Sequence, residues 1–269
     1  MGLLAVPQPY DFERSLDRFT FWGVDRANVW HDGALYRVIR GREVRIAPAN
    51  GAVDVEPLDA AIEAVVRKLL GLELDLESFY SFAAGEPVLA DAVGRLRGFR
   101  PPLAPDPFEA LVSSITAQQV SLHSAFAVRS RLIERFGEAA EHAVAFPTRE
   151  RLAQATEAEL TALGFSRRKA EYVLGLARSE LDFDELGALS DEEVKARITS
   201  LRGLGEWSAD WFLARHLGRA HAWPAGDLGL RKAVLAFYPD VADVRAAGVR
   251  FNPFQNLSAH YLLAALRYS

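Results

Sequence analysis

The chain has 269 residues, half of them hydrophobic, with no cysteine and a formal net charge of −5. That length holds one large domain or two modest ones, and the lack of thiols excludes disulfides, thiolate zinc centres, cysteine nucleophiles and cysteine-ligated iron–sulfur clusters. The acidic balance argues against a protein that coats nucleic acid without excluding a local basic patch, no stretch approaches the roughly 20 apolar residues of a membrane span, and the opening MGLLAVPQPY lacks the basic start of a signal peptide.

The first 55 or so residues are strand-like. ALYRVIR, 34–40, alternates apolar and polar after the turn pair Asp32-Gly33; REVRIA follows Gly41, and ANG at 49–51 marks a further turn. These features predict an antiparallel sheet with one solvated face. LDAAIEAVVRKLLG, 58–71, has a helical period, and SFYSFAAG continues it. GFRPPLAPDP, 98–107, is proline-rich and reads as a connector. It divides a sheet-containing N-terminal domain, 1–97, from a helical domain, 98–269. The fold class is α+β.

In the second part Asp106 is placed to cap a helix, with Pro107 at its first position and Glu109 three residues after the cap. Phe108, Leu111, Val112 and Ile115 then share one apolar face. Ser121 precedes a run that ends at Gly137, Thr156 and Glu159 make a capping-box pair, Ser166 caps RRKAEYVLGLAR, and Ser190 precedes DEEVKARI. Short capped helices of this kind form a compact α domain. The six histidines are scattered. The closest pair, His216 and His221, is not spaced for one helix face, and no histidine metal site is expected.

LRGLGEWSAD, 201–210, looks like a tight hairpin between two helices. Gly203 and Gly205 permit conformations and close approaches that a Cβ would block. A helix starting near Gly205 would turn its first unpaired N–H groups outward and offer an anion site that needs no charged side chain. The same glycines also suit an ordinary αα turn with a glycine cap.

LRGLGEWSADWFLARHLG followed by WPAGDLGLRKA resembles the helix-hairpin-helix DNA glycosylases, and within them the 3-methyladenine DNA glycosylase II, or AlkA-like, branch. DPFEALVSSITAQQVS and LGFSRRKAEYVLGLA fit the same branch, so the resemblance runs from about residue 98 to the end. Bifunctional members carry a lysine at the position matching Trp207, and its amine attacks the sugar. With Trp207 there and Glu206 beside it, the resemblance implies a monofunctional enzyme that releases a base, leaves an abasic site and has no lyase activity. Trp207 and Trp211, one helical turn apart, would stack on an extruded cationic alkylbase; the alternative is that Trp207 only packs in the core. Asp227 matches the catalytic aspartate. A fixed carboxylate beside the sugar would stabilise its positive charge or position a water, and Asp227 is equally a candidate N-cap for LGLRKAVLAF.

The resemblance extends to further positions. Gln119 matches the wedge that fills the gap left by the flipped nucleotide, a leucine in the best-known members; it also reads as a plain polar residue at a helix end. Leu228 and Leu263 match aromatic pocket positions, which implies a more open pocket. The carbonyls of Thr199, Leu201 and Leu204 match positions that hold a monovalent cation, sodium or potassium, against a phosphate; no other cofactor is implied. Arg167, Arg168, Lys169, Arg202, Arg231 and Lys232 flank loops that would face DNA, or else form ordinary solvated faces. The implied protein is a monomer in the cytoplasm of a bacterial or archaeal cell. It acts on damaged double-stranded DNA, with no membrane and no obligatory protein partner. Its rivals are a glycosylase for a deaminated or mispaired base and a hairpin module that only binds DNA, which would have no need of Asp227.

Overall fold

A computed structural model describes residues 2–268. Five strands, β1 (Gly2–Ala5), β2 (Val29–His31), β3 (Ala34–Ile39), β4 (Arg42–Ala49) and β5 (Ala52–Glu56), form an antiparallel sheet in the order β1-β5-β4-β3-β2. The helices among the described residues are α1 (Phe12–Leu16), α2 (Arg18–Phe21), α3 (Ala60–Leu69), α4 (Leu76–Ala83), α5 (Pro87–Arg95), α6 (Pro107–Ala117), α7 (Leu122–Phe136), α8 (Arg149–Ala153), α9 (Glu157–Ala162), α10 (Arg167–Ala177), α11 (Asp191–Thr199), α12 (Glu206–Phe212), α13 (Leu228–Phe237), α14 (Val244–Ala247) and α15 (Gln255–Arg267).

Local chemistry accounts for the sheet. Asp32 and Gly33 both take positive φ, 46° and 72°, as a two-residue hairpin of the mirror type requires. Val44, Ile46, Val53 and Val55 face inward and are fully buried against Ile62, Val66 and Leu69 of α3. Arg37 departs from the expected alternation. It lies on the buried face with Leu35 and Ile39, and its guanidinium pairs with Glu109 of α6. Glu109 therefore does not close a capping box over α6, although Asp106 does cap it, accepting from the Glu109 N–H at 2.7 Å. The Glu109 carboxylate sits between Arg37 and Arg129, and Arg129 also pairs with Asp25. Burial alone would raise the Glu109 pKa, but the two guanidiniums outweigh it and hold the carboxyl below its ordinary value. Removing one partner from such a network would strand a buried charge.

The expected boundary at residue 97 does not divide the cores. Phe79 and Leu89, from α4 and α5, pack with Leu230, Tyr261 and Leu262 of α13 and α15 rather than with the sheet. A separate core spans α6 to α12. The proline-rich connector is built into the structure. The Arg100 N–H donates to Ser15 Oγ at 2.9 Å, its guanidinium donates to the carbonyls of Gly71 and Leu74, and the Phe99 carbonyl accepts from the Tyr261 hydroxyl. Capping chemistry elsewhere follows the sequence: Ser121 and Ser166 cap α7 and α10, and Thr156/Glu159 and Ser190/Glu193 close full capping boxes.

Candidate active site

The hairpin connects α11 to α12. Gly203 has φ +91°, and a Cβ there would lie 2.1 Å from the Tyr172 ring. Its freedom thus serves the packing of α10 against the hairpin, a demand not visible in the sequence. Gly205 is the extended N-cap of α12 and faces open space, with no side chain capping the first N–H groups of the helix. Gln118, which sequence reasoning passed over, donates from Nε2 to the Gly203 carbonyl at 2.8 Å and so ties the loop after α6 to the hairpin. Beside it Gln119 is exposed and takes φ +54°, a left-handed conformation uncommon outside glycine.

Loop and hairpin border a cavity of about 1320 Å³. Asp227, Trp207, Trp211, Leu228 and Leu263 all line it. Asp227 is the N-cap of α13: its Oδ1 accepts from the Leu230 N–H at 2.9 Å, and its Oδ2 accepts from the Trp207 indole N–H at 3.3 Å. The two readings of Asp227 therefore describe one geometry, in which capping fixes the carboxylate at the cavity wall. Gly229 keeps the wall close, because a Cβ there would stand 3.0 Å from Asp227 Oδ1 and 3.2 Å from Leu263. Trp211 lies one turn beyond Trp207 and packs its inner part on the helical core. Leu228 remains 72% exposed at the rim.

The cavity lining also carries cations. Beyond α12 the chain widens into a π-helical turn, Leu213–Leu217, closed by Gly218 at φ +65°. That turn carries Arg215, which donates to His260 Nδ1 at 2.9 Å. A guanidinium only donates, so His260 accepts and is neutral; burial, with Arg215 beside it, holds its pKa well below the ordinary value. Arg18 of α2 also lines the cavity, as does Arg267 of α15, which pairs with Asp17 at 2.7 Å.

The family model for HhH-GPD superfamily base excision DNA repair proteins matches residues 112–243, a span that contains α11, the hairpin, α12 and Asp227. A "DNA-3-methyladenine glycosylase" of Bacillus subtilis is 28% identical over 243 residues, 85% of this chain and 80% of that protein. The solved "3-methyladenine dna-glycosylase from Archaeoglobus fulgidus" superposes with a TM-score of 0.90 at 29% identity, over 100% of this chain and 99% of that one. This chain belongs to the HhH-GPD superfamily. Its relatives place it in the branch of the 3-methyladenine glycosylases. The solved Clostridium acetobutylicum 8-oxoguanine glycosylase/lyase, at 20% identity and a TM-score of 0.81 over 96% of this chain and 92% of that one, shares the fold.

Within the HhH-GPD frame, several expected DNA-facing cations have internal partners. Arg202 pairs with Glu171, Arg167 with Glu157 at 2.8 Å, and Lys169 Nζ donates to the Thr116 carbonyl at 2.8 Å, closing the end of α6. Arg168, Arg231 and Lys232 are exposed, and Lys232 lines the cavity. Leu204 is buried, and its N–H donates to the Leu201 carbonyl at 3.1 Å. With Thr199 these residues form the end of α11 and the turn, where a helix leaves carbonyls without intrahelical donors. That neutral oxygen set suits a weakly held monovalent ion, and Leu201 retains its second lone pair. Away from the cavity, Glu43, Glu141 and His142 cluster closely, but Glu43 already accepts from the N–H groups of His142 and Ala143. His216 is also absorbed structurally, bonded to the Ala104 carbonyl and Lys68. No described helix is long and apolar enough to cross a membrane.

Proposed function

We propose that this chain is a monofunctional DNA glycosylase of base excision repair, which flips an alkylated purine such as 3-methyladenine or 7-methylguanine out of DNA and hydrolyses its N-glycosidic bond. The carrying observation is Asp227, anchored by the Leu230 N–H and the Trp207 indole at the wall of a cavity large enough for a nucleotide. As the bond breaks, the electron pair leaves with the base and positive charge grows on the sugar. The carboxylate opposes that charge and orients a water toward C1′. An alkylated base is already cationic and departs neutral, so one carboxylate suffices and no general acid is needed. Trp207 has no amine, which removes the Schiff-base route to strand cleavage.

DNA enters this reading through the hairpin and the neighbouring loop. The N–H groups opening α12 would accept a phosphate, a monovalent cation on the carbonyls of Thr199, Leu201 and Leu204 would bridge to another, and exposed Gln119 would fill the gap left by the flipped nucleotide. Arg168, Arg231 and Lys232 are the cations free to add phosphate contacts. The enzyme acts as a monomer on damaged double-stranded DNA, in the cytoplasm of a bacterial or archaeal cell.

The test is base release from duplexes carrying 3-methyladenine, 7-methylguanine, 1-methyladenine, ethenoadenine or hypoxanthine. Release of an alkylated purine, lost in Asp227→Asn, is the expected result. Binding without release of any base would leave a DNA-binding module.

A further inference from the structure

Away from the cavity, strand register gathers ligand-bearing side chains on the solvated face of the sheet. His31 pairs with Ala34 and Glu43 with Val38, so both share the face of Tyr36, opposite Val44 and Ile46. The loop after α7 lies against this face and adds Glu141 and His142. The His142 ring stacks on Tyr36 at 4.1 Å, and the His31 ring lies 5.0 Å from it. Glu43, Glu141 and His142 each offer one ligand atom, and these atoms lie within 4.8 Å of one another. The N–H groups of His142 and Ala143 donate to a single Glu43 oxygen, Oε1, at 2.8 and 2.7 Å. They fix the carboxylate and leave Oε2 turned to His142 Nδ1, 3.0 Å away. Glu141 is exposed and pairs with no described residue. None of these four residues lines the cavity.

Metal–ligand bonds of about 2.1 Å at a tetrahedral angle set neighbouring ligand atoms roughly 3.4 Å apart. Glu43 Oε2 and His142 Nδ1 already stand near that separation. A metal takes the place of the hydrogen between them, and the neutral ring carries its proton on Nε2. The N–H bonds to Oε1 and the Tyr36 stack hold both ligands in orientation, as contacts around a metal ligand do. Imidazole with carboxylate and without thiolate favours a transition metal over magnesium or calcium. We propose that Glu43, Glu141, His142 and His31 form a binding site for a divalent transition metal of the zinc class, which pins the loop after α7 to the sheet. Glu141 and His31 are exposed and close on the ion by side-chain rotation, His31 turning from Asp32, 3.4 Å away. The ligands come from three separate segments, which is why the spacing of the histidines gave no sign of the site. The inference does not depend on the glycosylase reading.

The experiment titrates the full, tag-free chain, stripped with chelator, with Zn2+ in a calorimeter, using Co2+ as a visible-absorption probe and Mg2+ as competitor. Wild type should take up one Zn2+ per chain, show the absorption bands of tetrahedral Co2+, and keep its zinc in excess Mg2+. H31A and E141Q should each weaken zinc binding by about 10-fold or more, and H142A should abolish it. H31A and E141Q change exposed side chains and leave the Glu43 bonds to the loop in place, so they carry the test if circular dichroism shows H142A unfolded. H221A removes the separate His221–Asp191 surface pair and should bind zinc as wild type does. Zinc should also raise the thermal unfolding midpoint more in wild type than in E141Q. The proposal is overturned by the lack of a saturable zinc isotherm in wild type, by an isotherm that folded H31A, E141Q or H142A leaves unchanged, or by one that is lost in H221A.

Discussion

Trp207→Phe removes one donor and keeps an aromatic ring in the cavity wall. The lost contact is the indole N–H to Asp227 Oδ2 at 3.3 Å, while the Leu230 N–H at 2.9 Å still caps the other oxygen. Hydrogen bonds to charged groups contribute about 1.5–3 kcal/mol, and this one is long. We therefore expect a cost just below that range, about 1 kcal/mol, or roughly fivefold in the single-turnover rate of base release. Asp227→Asn should cost far more, on the order of a hundredfold, because it removes the charge that opposes the sugar cation. The two changes should not add. In Asp227→Asn the amide oxygen is held by the Leu230 N–H, so the amide NH2 faces the indole N–H, donor against donor. Trp207→Phe should then cost nothing in that background, or even relieve it. Single-turnover release on one alkylated duplex, measured for wild type, both single variants and the double variant, gives the coupling. If Trp207→Phe costs the same fivefold with and without the carboxylate, the indole does not act through Asp227, and its role is stacking alone.

The remaining predictions concern chemistry, grip and stability. Product DNA should carry alkali-labile abasic sites without enzymatic nicks, and borohydride should trap no covalent adduct; an adduct that vanishes in Lys232→Arg would identify Lys232 as a lyase nucleophile and refute the monofunctional reading. Gly203→Ala should destabilise the fold by about 3 kcal/mol, through positive φ and collision with Tyr172, as read by urea unfolding. Gly205→Ala should fold normally and weaken lesion and undamaged duplex alike by anisotropy, and normal binding in that variant would remove the hairpin as phosphate clamp. The wild-type salt slope should reflect roughly three to five phosphates, at about −0.9 each. Burial, with Lys68 nearby, holds His216 to about 3, and His260 lies well below its ordinary value. Below pH 6.5 the unfolded chain takes protons that the folded chain refuses. Stability present above that pH should therefore fall by about 1.4 kcal/mol per unit per histidine on acidification. A urea midpoint that is flat from pH 7 to 5 would contradict this.

The parts of the fold governed by local rules were legible. Caps at Asp106, Thr156 and Ser190, the mirror turn at Asp32-Gly33 and the period of α3 depend on neighbours in sequence, and each formed as expected. The hairpin turn and the cap at Asp227 were legible locally, while the roles given to Asp227 and Trp207 came from the family resemblance. Long-range pairing was not. Arg37 on a strand and Glu109 on a helix are 72 positions apart, and nothing local marks either as buried. The domain boundary failed for the same reason, since α4 and α5 follow the sheet in sequence but pack with α13 and α15. Arg215 was hidden by backbone geometry: a π-helical turn shifts the face that regular period assigns, so its approach to the cavity had no signature. Gln118 carried no signal beyond its place beside Gln119.

Asp17 accepts from Arg267 and from the Tyr268 hydroxyl, joining residues 250 and 251 positions apart across the cavity wall. The Arg267 guanidinium also lies over the rings of Phe21 and Trp22, at 5.2 and 5.7 Å. The hairpin, the proposed DNA clamp, belongs to a different core, built from α6 to α12. Loosening α15 would therefore open the cavity and scatter its arginines while the grip survived. A chain in that condition would occupy DNA without cutting a glycosidic bond. On the proposed reading, in which the product is itself a lesion, such a chain would lose its chemistry before its hold.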